Sequence, residues 1–428
     1  MKKSLFVVVC FVSVFLIAIS GYAGPMKAGA AFRVVTPDPL LPVSGGVGEP
    51  EPVNKKIGDL FARALVLEKG DVRVAIVSVD FLGFPSVLCD KARAQIKGIP
   101  AENILIGSTH THSAPDTYAF PDLKGSHGAD LKYLDWVCGK VAEAVNEAAE
   151  KLQPVTLKIA VGEAKGKIAY NYYAPQLYDP RCGVIQAIAK KGKEKGKPIA
   201  TLVNYAIHPE VIGNDQGIVC PDLCGPLYDR IQSKNGGMAI FMNSAQGGMV
   251  TADCRGPNGK DIQTWEECIR IGELLADEAL RIVENAPVEE NPSLICVSKN
   301  VPFPVESKLM QAIIAKSPLG YPMAADNTVT TRVNLVDIGT AQILTIPGEA
   351  LPNIGYYVKR HMPTNKSFLF GLTNDAFGYM LAKVDWRSFK RYDYVSQTGL
   401  GENTGEIYME NALALIESSP KPDSEVAK

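Results

Sequence analysis

The chain has 428 residues, 46% hydrophobic and 21% charged, an ordinary globular balance with far more length than one small core needs. Lys and Arg (44) nearly cancel Asp and Glu (46), so no basic field points to nucleic acid and no acidic run points to disorder.

The N-terminus reads as an export signal. Met1-Lys2-Lys3 is basic, Leu5 to Ile19 is almost unbroken apolar sequence, and Ser20-Gly21-Tyr22-Ala23-Gly24 offers small residues for cleavage. Residues 1–24 are expected to be removed, leaving 25–428 as one exported domain, periplasmic or secreted. The apolar run is short for a bilayer span, and no Cys follows it for lipid attachment. Beyond it stand Cys89, Cys138, Cys182, Cys220, Cys224, Cys254, Cys268 and Cys296, an even number that an exported chain can pair. Cys220-Pro221-Asp222-Leu223-Cys224 has a metal-like spacing without a matching second pair, so disulfides or buried thiols are expected ahead of a structural zinc.

Strand-like runs follow at 64–67, 72–79, 104–107, 155–161, 184–189 and 199–207, then at 239–242, 294–297, 333–338, 342–346 and 367–372. Several are continuous apolar blocks, the pattern of strands covered on both faces. Helical spacing marks 131–152, where Leu134, Cys138, Val141, Val145 and Ala148 recur at steps of three or four. It marks 262–283, 308–316, 350–361 and 406–416 as well. Interspersed helices and strands predict an α/β class, and the short links 189–199 and 338–342 predict hairpins, so the sheet is mixed. Without a linker or repeat, one large domain is expected. The lysine-rich stretch 190–197 reads as a solvated hairpin tip, with contact to a lipid surface as the lesser alternative.

Only five histidines occur, and His110 and His112 stand one residue apart just past the run 103–106. In an extended backbone i and i+2 project to one face, so both imidazoles are expected at a strand end, where α/β folds place their chemistry. A metal or acid–base site is the sharper reading, and a solvated surface pair is the alternative. Four later runs end in similar fashion: His208-Pro209-Glu210, the stretch 243–253, Pro347-Gly348-Glu349, and Thr373-Asn374-Asp375-Ala376-Phe377-Gly378-Tyr379. Two His and one Glu make a common set of catalytic zinc ligands if those strand ends converge.

At this point the sequence resembles the catalytic domain of the neutral/alkaline (non-lysosomal) ceramidases. The resemblance runs through Ala28-Gly29-Ala30-Ala31-Phe32-Arg33-Val34-Val35-Thr36-Pro37, Val77-Ser78-Val79-Asp80, the His-Thr-His-Ser block, Asn204-Tyr205-Ala206-Ile207-His208-Pro209, Pro347-Gly348-Glu349 and Gly371-Leu372-Thr373-Asn374, in order. It implies zinc (Zn2+) held by His110, His208, Glu349 and Tyr379. It also implies an acid–base or oxyanion-stabilising role for His112 beside the metal, and Tyr392 as a candidate for polarising the substrate carbonyl.

Two departures stand out. The family's nucleophilic serine block corresponds to Gly248-Met249-Val250-Thr251-Ala252-Asp253, which sets Thr251 at the serine position and Met249 at its acid. Another register leaves no hydroxyl there and makes water the nucleophile. Few residues follow Tyr394, which leaves no room for the family's C-terminal β-sandwich, and Asn171-Tyr172-Tyr173 lacks the Arg that the family shows. The expected function is an exported zinc-dependent hydrolase cleaving an amide bond in a small amphiphilic or N-acyl substrate, nominally ceramide, with peripheral membrane contact and no nucleic-acid partner. Hydrolysis of another polar N-acyl amide or ester, and a non-catalytic ligand binder, are the competing expectations.

Overall fold

The computed structural model describes residues 24–44, 50–122 and 124–424. The expected export signal therefore lies, except for Gly24, outside the described residues. Among those described, no helix is long and apolar enough to cross a membrane.

Two sheets packed face to face form the middle of the molecule. The larger has nine strands, in the order Met238–Asn243, Pro198–Tyr205, Arg181–Ala189, Gln153–Glu163, Lys27–Val34, Phe61–Lys69, Val72–Val79 and Ile104–Ser108, with Val288–Glu289 alongside Gln153–Glu163. The smaller runs Leu294–Pro304, Thr328–Ile338, Ala341–Thr345, Ser367–Phe370. Strand alternation builds the layers. Ile76, Ile185 and Leu202 of the large sheet meet Val336, Ile343 and Phe368 of the small one. Val77 and Val66 turn the other way, onto the helices Ser86–Arg93 and Leu131–Glu150. Val184, Val203 and Phe241 face Cys224–Ser233 and Trp265–Glu284. Leu335, Leu344 and Leu369 pack on the helices Pro352–His361 and Thr404–Ser418. The result is four layers, helix–sheet–sheet–helix, and both hairpins expected from the sequence are present as antiparallel pairs.

Helix starts follow local chemistry. Asp130 accepts the backbone N–H of Tyr133 and Thr264 that of Glu267, which caps the two longest helices. The helices Ser86–Arg93 and Cys224–Ser233 were not expected from the sequence. The second is short and carries Gly225 and Pro226 in its first turn, where a missing N–H costs nothing but the periodic signal is lost. All eight described cysteines are free thiols, seven of them buried. Burial pushes Cys220 and Cys254 up to about 12, so they behave as small apolar side chains rather than nucleophiles.

Within the two packed sheets three pairs of strands are parallel: Val72–Val79 with Ile104–Ser108, Pro198–Tyr205 with Met238–Asn243, and Ala341–Thr345 with Ser367–Phe370. The large sheet curls until its two edges touch. The Ser78 hydroxyl donates to the Phe241 carbonyl at 2.5 Å, and a Cβ on Gly107 would lie 2.8 Å from the Met242 methyl. The small sheet joins at the same place, where Gly371 donates to the Asn243 carbonyl and Ser108 to that of Leu372. The carboxyl ends of all three parallel pairs therefore meet at one point, as the recurring polar strand ends suggested.

Contact between the sheets depends on Gly183, where a Cβ would stand 2.4 Å from the Phe368 ring. Gly183→Val should destabilise the protein by about 1–3 kcal/mol through overpacking. Phe368→Ala should cost about 3–5 kcal/mol. Urea unfolding of both variants checks this, and wild-type midpoints would show that the sheets do not depend on this seat.

Candidate metal centre

His110, His112 and His208 offer ring nitrogens that all lie within 4.8 Å of one another and so form a group able to hold a metal ion. The ring centroids are 4.8 Å apart for His110–His112 and 4.7 Å for His110–His208. His110 reaches this position by a different route from the one expected. It lies beyond the strand Ile104–Ser108 and adopts φ +72°, so a left-handed bend rather than strand alternation brings the two rings together. Its backbone N–H donates to Phe81, and the backbone N–H of His112 donates to Pro209, next to His208.

Asn243, at the end of its strand, ties these loops together. Its Nδ2 donates to the carbonyls of Thr109 (3.0 Å) and Ile207 (2.7 Å), the residues immediately before His110 and His208. Glu349 and Tyr379 are register partners in a separate two-stranded parallel sheet, Gly348–Ala350 with Phe377–Met380, whose strands follow those of the small sheet in the chain. Gly247 lets that pair approach, since a Cβ there would lie 2.1 Å from the Glu349 carbonyl oxygen.

The protonation pattern follows from the neighbours. His110 Nδ1 faces the Leu82 carbonyl at 2.5 Å, and His208 Nδ1 faces the Val250 carbonyl at 2.8 Å. A carbonyl can only accept, so each Nδ1 carries the hydrogen and each neutral ring turns a lone pair outward at Nε2. Both Nε2 atoms point at one oxygen, Glu349 Oε2, at 3.3 and 3.2 Å. Three buried acceptors cannot share a point unless positive charge stands among them. Protons alone would leave at least one imidazolium ring buried inside the protein, whereas one divalent cation satisfies all three groups, so this donor set fits zinc-type ligation.

The electrostatics agree. Burial alone would raise the Glu349 pKa, but His110 and His208 override it and hold the carboxyl far below its ordinary 4.5. Burial likewise would lower His208, yet the hydrogen bond to Glu349, with the Glu210 and Glu349 charges, lifts it above 6.5. Tyr379 lines the same cleft and is pushed well above 10 by burial and by Glu349. Its hydroxyl lies 3.1 Å from the Met249 sulfur, so in this structure it bonds to the thioether.

The cleft is lined by His110, His112, Glu349 and Tyr379 with Leu82, Phe120, Met310, Tyr118 and Tyr394. Not every candidate joins it. Thr251 is half-buried on the short strand Val250–Ala252, bridged to His208 through the backbone, and does not line the cleft. Tyr392 packs against Tyr173 and Phe389 instead, with ring centroids 5.6 Å away in each case. The tyrosine that enters is Tyr394, whose ring meets Tyr379 at 5.8 Å.

No family model matches the chain. Neutral ceramidase B of Dictyostelium discoideum is 22% identical over 362 residues, covering 72% of this chain and 48% of that protein. Neutral ceramidase A of the same organism is 22% identical over 280 residues, covering 53% and 39%. The crystal structure of neutral ceramidase from Pseudomonas aeruginosa superposes with a TM-score of 0.75 at 17% identity, over 94% of this chain and 76% of that one. A ceramidase complexed with C2 gives the same score and identity. The chain is thus similar in sequence to neutral ceramidases and shares the fold of the bacterial enzyme. It spans about half or less of the length of the two curated relatives it matches, and the likeness to the solved structures establishes the fold.

Within that shared fold, sequence reasoning missed Asn243, Glu210, Tyr118 and Tyr394. Glu210 follows His208 by two residues, and its Oε2 stands 3.7 Å from His112 Nδ1, in ion-pair range. Its signal was the polar run after a strand, already noticed for His208.

Two predictions follow from these contacts. Asn243→Leu leaves two buried carbonyls without donors, which should cost about 1–3 kcal/mol per carbonyl, and should also lower metal stoichiometry. Urea unfolding with metal analysis reads both, and full metal content would sink the tie. The second concerns pH. Raised His208 stabilises the chelated protein below 6.5 and loses that effect as pH rises through its folded value. Depressed Glu349 stabilises above 4.5 and loses that effect as pH falls through its own. In chelated protein both act between 4.5 and 6.5, so the rise in Tm on adding zinc should be larger at pH 8 than at pH 5.5. A gap independent of pH contradicts this charge pattern.

Proposed function

We propose that the chain is an exported zinc-dependent amidohydrolase acting on a small amphiphilic N-acyl compound, with ceramide as the nominal substrate. The observation that carries this reading is the convergence of two imidazole lone pairs and one buried carboxylate beside a third imidazole, in a tyrosine-lined cleft. The neutral ceramidase relatives supply the choice of bond.

In this reading His110, His208 and Glu349 hold the zinc, with Tyr379 as the fourth group once its hydroxyl leaves Met249. Zinc bound there acts as a Lewis acid towards the amide oxygen and makes an attacking hydroxyl more acidic. His112 lies on the cleft wall, half-buried, where it can take the proton from the attacking group and return it to the leaving nitrogen. Glu210, with its carboxylate 3.7 Å from His112 Nδ1, helps to orient that ring. Tyr118 and Tyr394 supply phenols at the cleft wall for the substrate carbonyl or hydroxyls, a part that Tyr392 can take only if its segment moves. Water is the attacking group, because the Thr251 hydroxyl does not line the cleft. A polar N-acyl amide or ester in place of ceramide is the second reading. The departure at Met249 favours it, since a thioether stands where the family's serine block has an acid.

Turnover of fluorogenic N-acyl amides by the full chain tests the proposal. Activity should vanish on chelation, return with zinc, and be absent in His110→Ala. His112→Ala should keep its zinc and lose roughly 10²- to 10⁴-fold in kcat. Thr251→Ala should stay within the same order of magnitude as wild type; its complete inactivity would restore Thr251 as nucleophile. Zinc binding without hydrolysis of any amide or ester in a broad panel would make the chain a binder and end the hydrolase reading.

A further inference from the structure

The three most exposed large apolar side chains among the described residues are Val384 (80%), Tyr172 (65%) and Phe389 (62%). They belong to one rim. Tyr172 touches Tyr173 at 5.7 Å between ring centroids, Tyr173 touches Tyr392 at 5.6 Å, and Tyr392 touches Phe389 at 5.6 Å. Val384 lies in the same surface segment, formed by the short turns Lys383–Asp385 and Lys390–Tyr392. Arg391 fastens that segment to the neighbouring loop by donating to the Tyr173 carbonyl at 2.7 Å. The rim is continuous with the cleft: Tyr173, Trp386 and Tyr392 pack on the apolar cluster that contains Tyr379, and Tyr394, which is 48% exposed, lines the cleft itself.

Charge on this rim is one-sided. Residues 383–394 carry the exposed Lys383, Arg387, Lys390 and Arg391 against Asp385 and Asp393, in a chain whose overall charge is −2. Solvated loops rarely keep Phe, Val and Tyr outermost, because each costs hydration free energy without packing in return. Aromatic rings among basic side chains suit a boundary where apolar matter lies beneath a negatively charged layer.

We propose that the 383–394 rim with Tyr172 and Tyr173 docks the protein on an anionic lipid–water interface and sets the cleft mouth against that surface. Phe389 and Val384 enter the acyl boundary, the tyrosines sit at headgroup level, and the basic side chains meet anionic headgroups. An amphiphilic substrate then passes from the lipid layer to the cleft along Tyr392 and Tyr394 without crossing water. From the proposed function this takes only that the substrate is amphiphilic.

Sedimentation of the full chain with vesicles of phosphatidylglycerol and phosphatidylcholine tests the docking without any turnover. Binding to the mixed vesicles should exceed binding to phosphatidylcholine alone and should weaken as salt rises. Phe389→Ser and Lys390→Glu, both outside the cleft, should each reduce partitioning by about tenfold while keeping the wild-type Tm. Absence of binding to anionic vesicles at low salt, or equal binding by both variants, overturns the proposal. So does binding to purified cell-wall glycan in place of vesicles, lost in Phe389→Ser, which would assign the aromatic rim to sugar stacking. Docking without hydrolysis sinks the enzyme reading alone, and hydrolysis of a soluble amide without docking sinks the interface alone.

Discussion

The two hydrogen bonds donated by Asn243 Nδ2 are the constraint on which the rest of the centre depends. They fix the carbonyls before His110 and before His208 against one side chain, although the two histidines lie 98 positions apart in sequence. Asn243 also accepts the N–H groups of Ile207 and Ser244 at its Oδ1, so its amide is satisfied on every side and has one usable orientation. A saturated, fully buried amide of this kind has no rotamer freedom to spare. It converts the meeting of two strand ends into a defined distance between two imidazoles.

That distance has an electrostatic consequence. With both Nδ1 hydrogens committed to backbone carbonyls, the site presents two lone pairs and a carboxylate oxygen to one point. The fold therefore builds in a demand for positive charge and leaves its chemical identity to the donor set, imidazole and carboxylate, which suits zinc. His112 differs in kind. Its ring is close enough to join the ligands, but Glu210 stands beside its Nδ1 and the cleft lies before it. One group of three histidines thus divides into two whose Nδ1 atoms are held by backbone carbonyls and one that has a carboxylate nearby.

Much of this was legible in the sequence, for identifiable reasons. Long apolar runs such as 72–79 and 199–207 and the helical spacing of 131–152 carry their own signal, since burial on one or two faces dictates periodicity. Polar groups just past strands marked His110, His208 and Glu349, and the structure brings those three together. The sequence was silent where tertiary contacts decide. Asn243 resembles any loop asparagine until its strand meets the opposite edge of the curled sheet. Tyr392 ends a short turn and Tyr394 lies in the first turn of the helix Asp393–Gln397 that follows, and only the direction of that helix puts one in the cleft and the other on its rim. The expected geometry of the His pair rested on extended backbone, which the left-handed His110 does not adopt.

That left-handed conformation is not isolated. Met249 at φ +73°, Leu372 at +47° and Asn374 at +73° sit on the other loops around the centre, each in a region that non-glycine residues enter at a cost of about 1–3 kcal/mol. Such strain persists only where the surroundings over-determine it, and here three parallel ladders end at the same point and supply the surplus contacts. A chain leaving a parallel strand in the ordinary conformation would carry its side chain away along the sheet. Turning left-handed just after the strand bends the chain back on itself and brings His110 to Glu349 where the strand ends meet. The strained exits and the converging strands are therefore one device: the sheets hold the backbone rigid enough for the loops to depart from relaxed geometry, and that departure makes the cleft.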